Sequence, residues 1–170
     1  MRMCIQVGIV VVALAVAAQA QIPAAFVDVP PWHWAFDAVE RGASTGIFRG
    51  YPIGDRERVV NAVTQVFDSF VRAAHPRAGE WSARFLVNLP SHWPQPLERS
   101  RLVSFRLENV QADLGSDRGA VSFVATITQR TPGGTSEMRT PMRVEVHKDA
   151  EGRWRVHYPD LAAGQPQVFR

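Results

Sequence analysis

The clearest pattern along the chain is an apolar stripe with helical spacing that ends before Pro76. Apolar side chains that recur every three or four residues lie on one face of an α-helix, so this stripe predicts a helix over residues 60–75. A shorter stripe, followed by a turn signal at Thr45-Gly46, predicts another helix within residues 32–41. The longer stripe consists of Val63, Val66, Phe67, Phe70, Val71 and Ala74.

Beyond residue 100 the hydrophobic period changes to two. Alternation of apolar and polar side chains predicts half-buried strands, and the glycine-containing turns between them are typical of antiparallel hairpins. Residues 81–89 are compatible with a short helix and residues 91–96 with a loop. The four predicted strands lie within residues 101–112, 120–129, 142–147 and 154–158.

The two periods together predict an α+β fold, in which an N-terminal helical hairpin precedes a curved antiparallel four-stranded sheet packed on a helix. We expect the hairpin within residues 21–75, the sheet domain within 76–160 and a C-terminal tail at 161–170. The helix at 60–75 can serve both units, completing the hairpin on one side and covering the sheet on the other.

The last predicted hairpin allows its register to be worked out. Gly152 suits the left-handed position of a three-residue loop, and such a loop pairs residues whose numbers have an even sum. One face of the hairpin then carries Met142, Val144, Val146, Trp154, Val156 and Tyr158. The opposite face carries Arg143, His147, Arg153, Arg155 and His157 around Glu145. That second face is either a solvated surface or a binding surface for phosphate or uronate.

Residues 1–20 have the three parts of a secretory signal peptide: a positive start at Arg2, an apolar core over 7–18, and small residues at Ala18 and Ala20. The apolar core is too short for a membrane span, which needs about 20 residues. We therefore expect an exported protein of the periplasm, cell surface or cell envelope. The single cysteine, Cys4, lies inside the signal, so the mature chain is expected to have no disulfide.

After this signal, an ordered set of motifs resembles the first half of an S-layer homology repeat. The motifs are Phe26-Val27-Asp28-Val29-Pro30, His33-Trp34-Ala35, Ala38-Val39 and Gly46-Ile47-Phe48-Arg49-Gly50-Tyr51-Pro52. The resemblance implies packed helical hairpins and non-catalytic attachment to anionic cell-wall polysaccharide. The ligand-binding candidates are Asp28, Trp34, Arg49, Gly50 and Tyr51.

Structural roles stay open for several of these residues. Trp34 and Phe36 can be hydrophobic plugs between helices, and Asp28 can cap the helix that follows it. Gly50 can serve a positive backbone φ angle. His33 is expected at the surface or in a capping position.

The order of elements in the second part, closed by the strand Gly152-Arg153-Trp154-Arg155-Val156, resembles the cystatin-like cone of the nuclear transport factor 2 superfamily. Members range from enzymes to passive ligand-binding or accessory domains, so this fold does not decide the function. The resemblance implies an alternative function, namely a small-molecule-binding or enzymatic cone domain that the N-terminal module tethers to the envelope.

The side chains give little indication of catalysis. No Gly-x-Ser-x-Gly elbow occurs, and the five histidines lack metal-ligand spacing, so we expect neither an enzyme nor a metal or other cofactor. A formal charge of +3 is too small to indicate a nucleic-acid partner. The expected partners are cell-wall polysaccharide, a peptidoglycan-associated polymer or another envelope protein, and no membrane span is expected in the mature chain.

Overall fold

The computed structural model describes residues 29–45 and 54–164, which form the predicted α+β fold. The helices are α1 (Phe36–Ser44), α2 (Asp55–Val71), α3 (Ala78–Ala83), α4 (Gln95–Glu98) and α5 (Tyr158–Gly164). The strands are β1 (Leu86–Val87), β2 (Leu102–Leu114), β3 (Arg118–Thr131), β4 (Gly134–Lys148) and β5 (Trp154–His157). Within these two ranges, no helix has the length and apolar character needed to cross a membrane.

The five strands form one mixed sheet in the order β1-β5-β4-β3-β2. Strand β1 runs parallel to β5, and the other neighbours are antiparallel. The four predicted strands are confirmed, and β1 is an addition. The prediction of a single helix over 81–89 is wrong at its C-terminal end, because the Val156 N–H donates to the Phe85 carbonyl (2.7 Å) and draws the next two residues onto the sheet edge. A two-residue strand carries no periodicity that a sequence pattern can reveal.

Helix α2 is the main cover of the sheet, and it packs against β2, β5 and α3. Its apolar stripe is buried from Val63 to Phe70, whereas Val71 is half-buried and Ala74 lies exposed beyond the end of the helix. The helix begins at Asp55 rather than near residue 60. The first turn carries Asp55 and Glu57, which favour a helix N-terminus electrostatically but add no apolar residue to the stripe. The helix ends at Val71, before His75-Pro76, where proline disfavours the helical conformation.

The register predicted for the last hairpin is confirmed. Val146 pairs with Val156 and Lys148 with Trp154, and both pairs have the even sum that a three-residue loop requires. Gly152 has a φ angle of 75°, in the left-handed region that glycine adopts without strain. One face of the hairpin is therefore buried throughout, by Met142, Val144, Val146, Trp154, Val156 and Tyr158.

The sheet is longer than the alternating pattern indicates. Strand β4 begins at Gly134, eight residues before the first predicted position, because residues 134–141 pair with β3 while their side chains stay mostly outside the core. Strand β2 contains an irregularity between Glu108 and Gln111, where Asn109 has a φ angle of 53°. Such bulges bend a strand and increase its twist, which curves the sheet around α2.

The segment predicted as a tail from residue 161 begins inside helix α5. Leu161 is fully buried in the core, which ties this helix to β4 and the rest of the sheet. A second link joins the last residue of β4 to α2, since Lys148 Nζ lies 2.6 Å from Asp55 Oδ2. The hydrogen bond from Lys148 holds the pKa of Asp55 below its usual value.

Candidate functional site

Of the five predicted ligand-binding residues, Trp34 lies within the described part of the chain. Its side chain is 91% exposed, so the alternative role of a buried plug is wrong for Trp34, whereas Phe36 is indeed buried. Asp28, Arg49, Gly50 and Tyr51 lie outside the described residues, and their predicted roles stay predictions.

The turn that presents Trp34 is held by local hydrogen bonds. The His33 N–H donates to the Pro30 carbonyl (2.9 Å), and the Phe36 N–H donates to the His33 carbonyl (2.9 Å). His33 Nδ1 accepts the Ala35 N–H (3.2 Å) just before α1 begins, and the ring is exposed, which confirms the predicted surface position of His33. The exposed His33 and Trp34 rings lie 5.7 Å apart, so the two side chains form one small aromatic surface.

The aromatic residues on either side of Trp34 point into the protein. Trp32 Nε1–H donates to Asp68 Oδ2 on α2 (2.9 Å), and the Trp32 ring meets the Trp81 ring edge-on at 6.4 Å. Phe36 packs on the same Trp81 ring at 6.1 Å. The contacts of Trp32 and Phe36 therefore fix both ends of the turn that carries the exposed Trp34 indole.

Asp68, the acceptor for Trp32, is a half-buried carboxyl whose pKa is raised by burial and lowered to a lesser extent by the Trp32 hydrogen bond. A carboxyl with a raised pKa binds its proton more readily in the folded chain, so its contribution to stability falls as the pH rises through that pKa. We expect Asp68→Asn, which keeps an acceptor for Trp32 and removes the charge, to raise the free energy of unfolding at pH 7 by up to about 1 kcal/mol.

Urea unfolding at pH 7 measures this effect. Asp68→Leu is the matched variant, because it removes both the charge and the acceptor and leaves the Trp32 N–H without its partner. Its stability should be lower than that of Asp68→Asn by about 1 kcal/mol or more. An asparagine variant less stable than the wild type would contradict the expectation.

The interior of the sheet is occupied by packed apolar side chains. Phe67 of α2 contacts Phe105 at 5.4 Å and Phe123 at 6.0 Å between ring centroids, and Trp154 is buried nearby in the same core. Three buried polar side chains lie on helices and have hydrogen-bond partners there: Gln65, Ser69 and Ser82. On the inward face of β5, the Trp154 indole nitrogen is buried without a hydrogen-bond partner among the described residues. The inward strand positions that we describe therefore offer no set of convergent polar groups to a ligand.

The outer face of β4 and β5 carries the predicted charged residues, but acids that the sequence did not place there engage the arginines. Asp149 Oδ2 accepts hydrogen bonds from Arg153 Nε (2.9 Å) and Arg155 Nε (2.8 Å). These pairs count against a phosphate or uronate site built on the two arginines. Farther along the same face, Asp160 of α5 lies beside His157.

Neither a family model nor a curated protein matches the sequence. Among solved structures, the CaMKII hub of S. rosetta is similar with a TM-score of 0.50 and 12% identity, over 63% of this chain and 95% of the hub. This chain has the nuclear transport factor 2-like cone fold. At this identity the likeness concerns the fold alone, and it confirms the cone predicted for the second part of the sequence.

Two further structures match less well. A proposed ketosteroid isomerase from Shewanella frigidimarina has a TM-score of 0.45 and 13% identity, over 59% of this chain and 91% of that one. A protein of unknown function from Mycobacterium tuberculosis has a TM-score of 0.40 and 12% identity, over 58% and 72%. None of the comparisons supports the S-layer homology resemblance, which stays a prediction.

Proposed function

We propose that the chain is a non-catalytic, exported protein of the cell envelope, and that Trp34 is its main contact with cell-wall glycan or another envelope component. The observation that carries the proposal is the exposure of Trp34, because the other tryptophans of the described chain are buried or half-buried. An indole face is large and rigid, and it can stack on the apolar face of a sugar ring at little cost in conformational entropy.

The surroundings of Trp34 support this role. Trp32 and Phe36 fix the turn from both sides, so binding need not order the segment first. The packed interior of the cone supports a surface contact rather than a pocket. Export rests on the signal-like residues 1–20, and Arg49 and Tyr51 are the second and third proposed contacts.

Co-sedimentation with purified cell-wall sacculi tests the proposal. Wild-type chain should pellet with the sacculi, and Trp34→Ala should weaken binding about tenfold or more, as expected for a central aromatic contact. Val103→Ala is the matched control, since Val103 is the other large hydrophobic residue found exposed in the described chain. A wild-type chain that stays in the supernatant, or equal pelleting of Trp34→Ala, would overturn the proposal.

The alternative function, a small-molecule-binding or enzymatic cone, is compatible with the fold, which hosts such activities in other proteins. It requires a cavity that an apolar ligand can enter. Stoichiometric binding of the dye anilinonaphthalene sulfonate by the native chain would favour this alternative. No dye binding, combined with Trp34-dependent pelleting, would favour the envelope function.

A further inference from the structure

Three potential metal ligands converge on the outer face of the sheet, away from Trp34. Glu145 of β4, His157 of β5 and Asp160 of α5 each offer one ligand atom, and these atoms lie within 4.8 Å of one another. We propose that the three residues form a binding site for a divalent transition-metal cation of the Zn²⁺ type. This inference does not rest on the proposed function.

The fold brings the three residues together in two steps. The even-sum register of β4 and β5 sets Glu145 opposite His157, one position beyond the pair Val146 and Val156. Strand β5 then ends, and the first turn of α5 carries Asp160 back over the same face. Asp160 Oδ2 accepts the Glu145 backbone N–H (2.8 Å), which fixes this carboxylate and leaves its other oxygen directed to His157. Outer hydrogen bonds of this kind orient metal ligands.

The environment of His157 Nδ1 is the observation that favours a metal. This atom is buried and has no hydrogen-bond partner among the described residues, although Asp160 Oδ1 lies only 3.1 Å away. A hydrogen bond needs the N–H to point close to the oxygen. A metal ion about 2.0–2.2 Å from both atoms lies off the line that joins them, so a ligand nitrogen need not point at the oxygen.

The basic residues that pair with the Glu145 and Asp160 carboxylates are histidines. Glu145 Oε2 lies 3.8 Å from His147 Nε2, and the ring centroids of His147 and His157 are 6.3 Å apart, so a second imidazole borders the site. Arg153 and Arg155 bind Asp149 instead. Imidazole nitrogen combined with carboxylate oxygen is a ligand set that suits Zn²⁺ and similar cations.

Isothermal titration of the purified, tag-free chain with Zn²⁺ tests the site, and Co²⁺ reports its coordination through visible absorption. We expect one Zn²⁺ per chain and at least about tenfold weaker binding in Glu145→Gln and Asp160→Asn. The Glu145 side chain is 66% exposed, so its exchange should leave the fold intact. Zn²⁺ should also raise the midpoint of thermal unfolding of the wild type and not of these variants.

Two matched exchanges complete the design. Glu137→Gln changes an exposed glutamate on the same strand, and His92→Asn changes an exposed histidine in a loop, and neither should alter Zn²⁺ binding. His157→Asn should weaken binding as the two carboxylate variants do. Absence of Zn²⁺ binding by the wild type, or equal binding by wild type and Glu145→Gln, would overturn the proposal.

Discussion

Replacing Trp81 with alanine is expected to lower the free energy of unfolding by about 3–5 kcal/mol, the largest effect of any exchange considered for this chain. The indole is only 2% exposed, and its ring lies against Trp32, Phe36 and Phe85 at centroid distances of 6.4, 6.1 and 5.4 Å. Alanine would leave a cavity between the N-terminal segment, α1 and α3, which the surrounding rings can fill only in part.

Urea unfolding followed by far-UV circular dichroism measures the loss. Trp81→Phe should cost less, about 1–2 kcal/mol, because it keeps most of the ring and removes the hydrogen bond from Nε1 to Gln65 Oε1 (3.1 Å). Trp34→Ala is the matched control, and it should change the stability by no more than about 0.5 kcal/mol, since that indole is exposed. Equal losses from Trp81→Ala and Trp34→Ala would contradict the packing described for Trp81.

The sequence predicted the elements whose side chains alternate between core and solvent. The stripe from Val63 to Phe70 is buried on α2, and Gly152 set the register of the last hairpin correctly. In both cases apolar residues occupy one face of the element over several helical turns or strand pairs, so the sequence pattern indicates which side chains are buried. Elements without such a pattern were missed: β1 has two residues, and the first half of β4 is mostly exposed.

The residues of the candidate sites were harder to predict from the sequence. Nothing in the spacing of the chain separates Trp34 from Phe36, although one is exposed and the other buried, because the direction of each side chain depends on the turn that precedes α1. The register placed His157 beside Glu145, but Asp160 lies beyond the last predicted strand, which ends at residue 158. The signal that would have found it is the spacing of three residues from His157, which spans about one helical turn.

Asp149 carries the second large prediction, because it organises the turn between β4 and β5. Its carboxylate accepts the backbone N–H groups of Glu151 (3.1 Å) and Arg153 (2.8 Å) as well as the Nε–H groups of Arg153 and Arg155. Burial raises the pKa of Asp149, but the hydrogen bonds from Arg153 and Arg155 together lower this pKa by more than burial raises it. The pKa of Asp149 therefore lies below its usual value.

Asp149→Asn is expected to lower the free energy of unfolding at pH 7 by about 2–3 kcal/mol, because the neutral amide cannot replace the charged acceptor for two guanidinium groups. A carboxylate with a depressed pKa stabilises the folded state above its unfolded pKa of about 3.9 and loses that effect as the pH falls through its folded pKa. The difference in the free energy of unfolding between wild type and variant should therefore be largest at pH 5–7 and decrease below about pH 4. Urea unfolding across this range measures it, with Asp113→Asn as an exposed control. A difference that stays constant down to pH 2.5 would mean that the charge of Asp149 does not stabilise the turn.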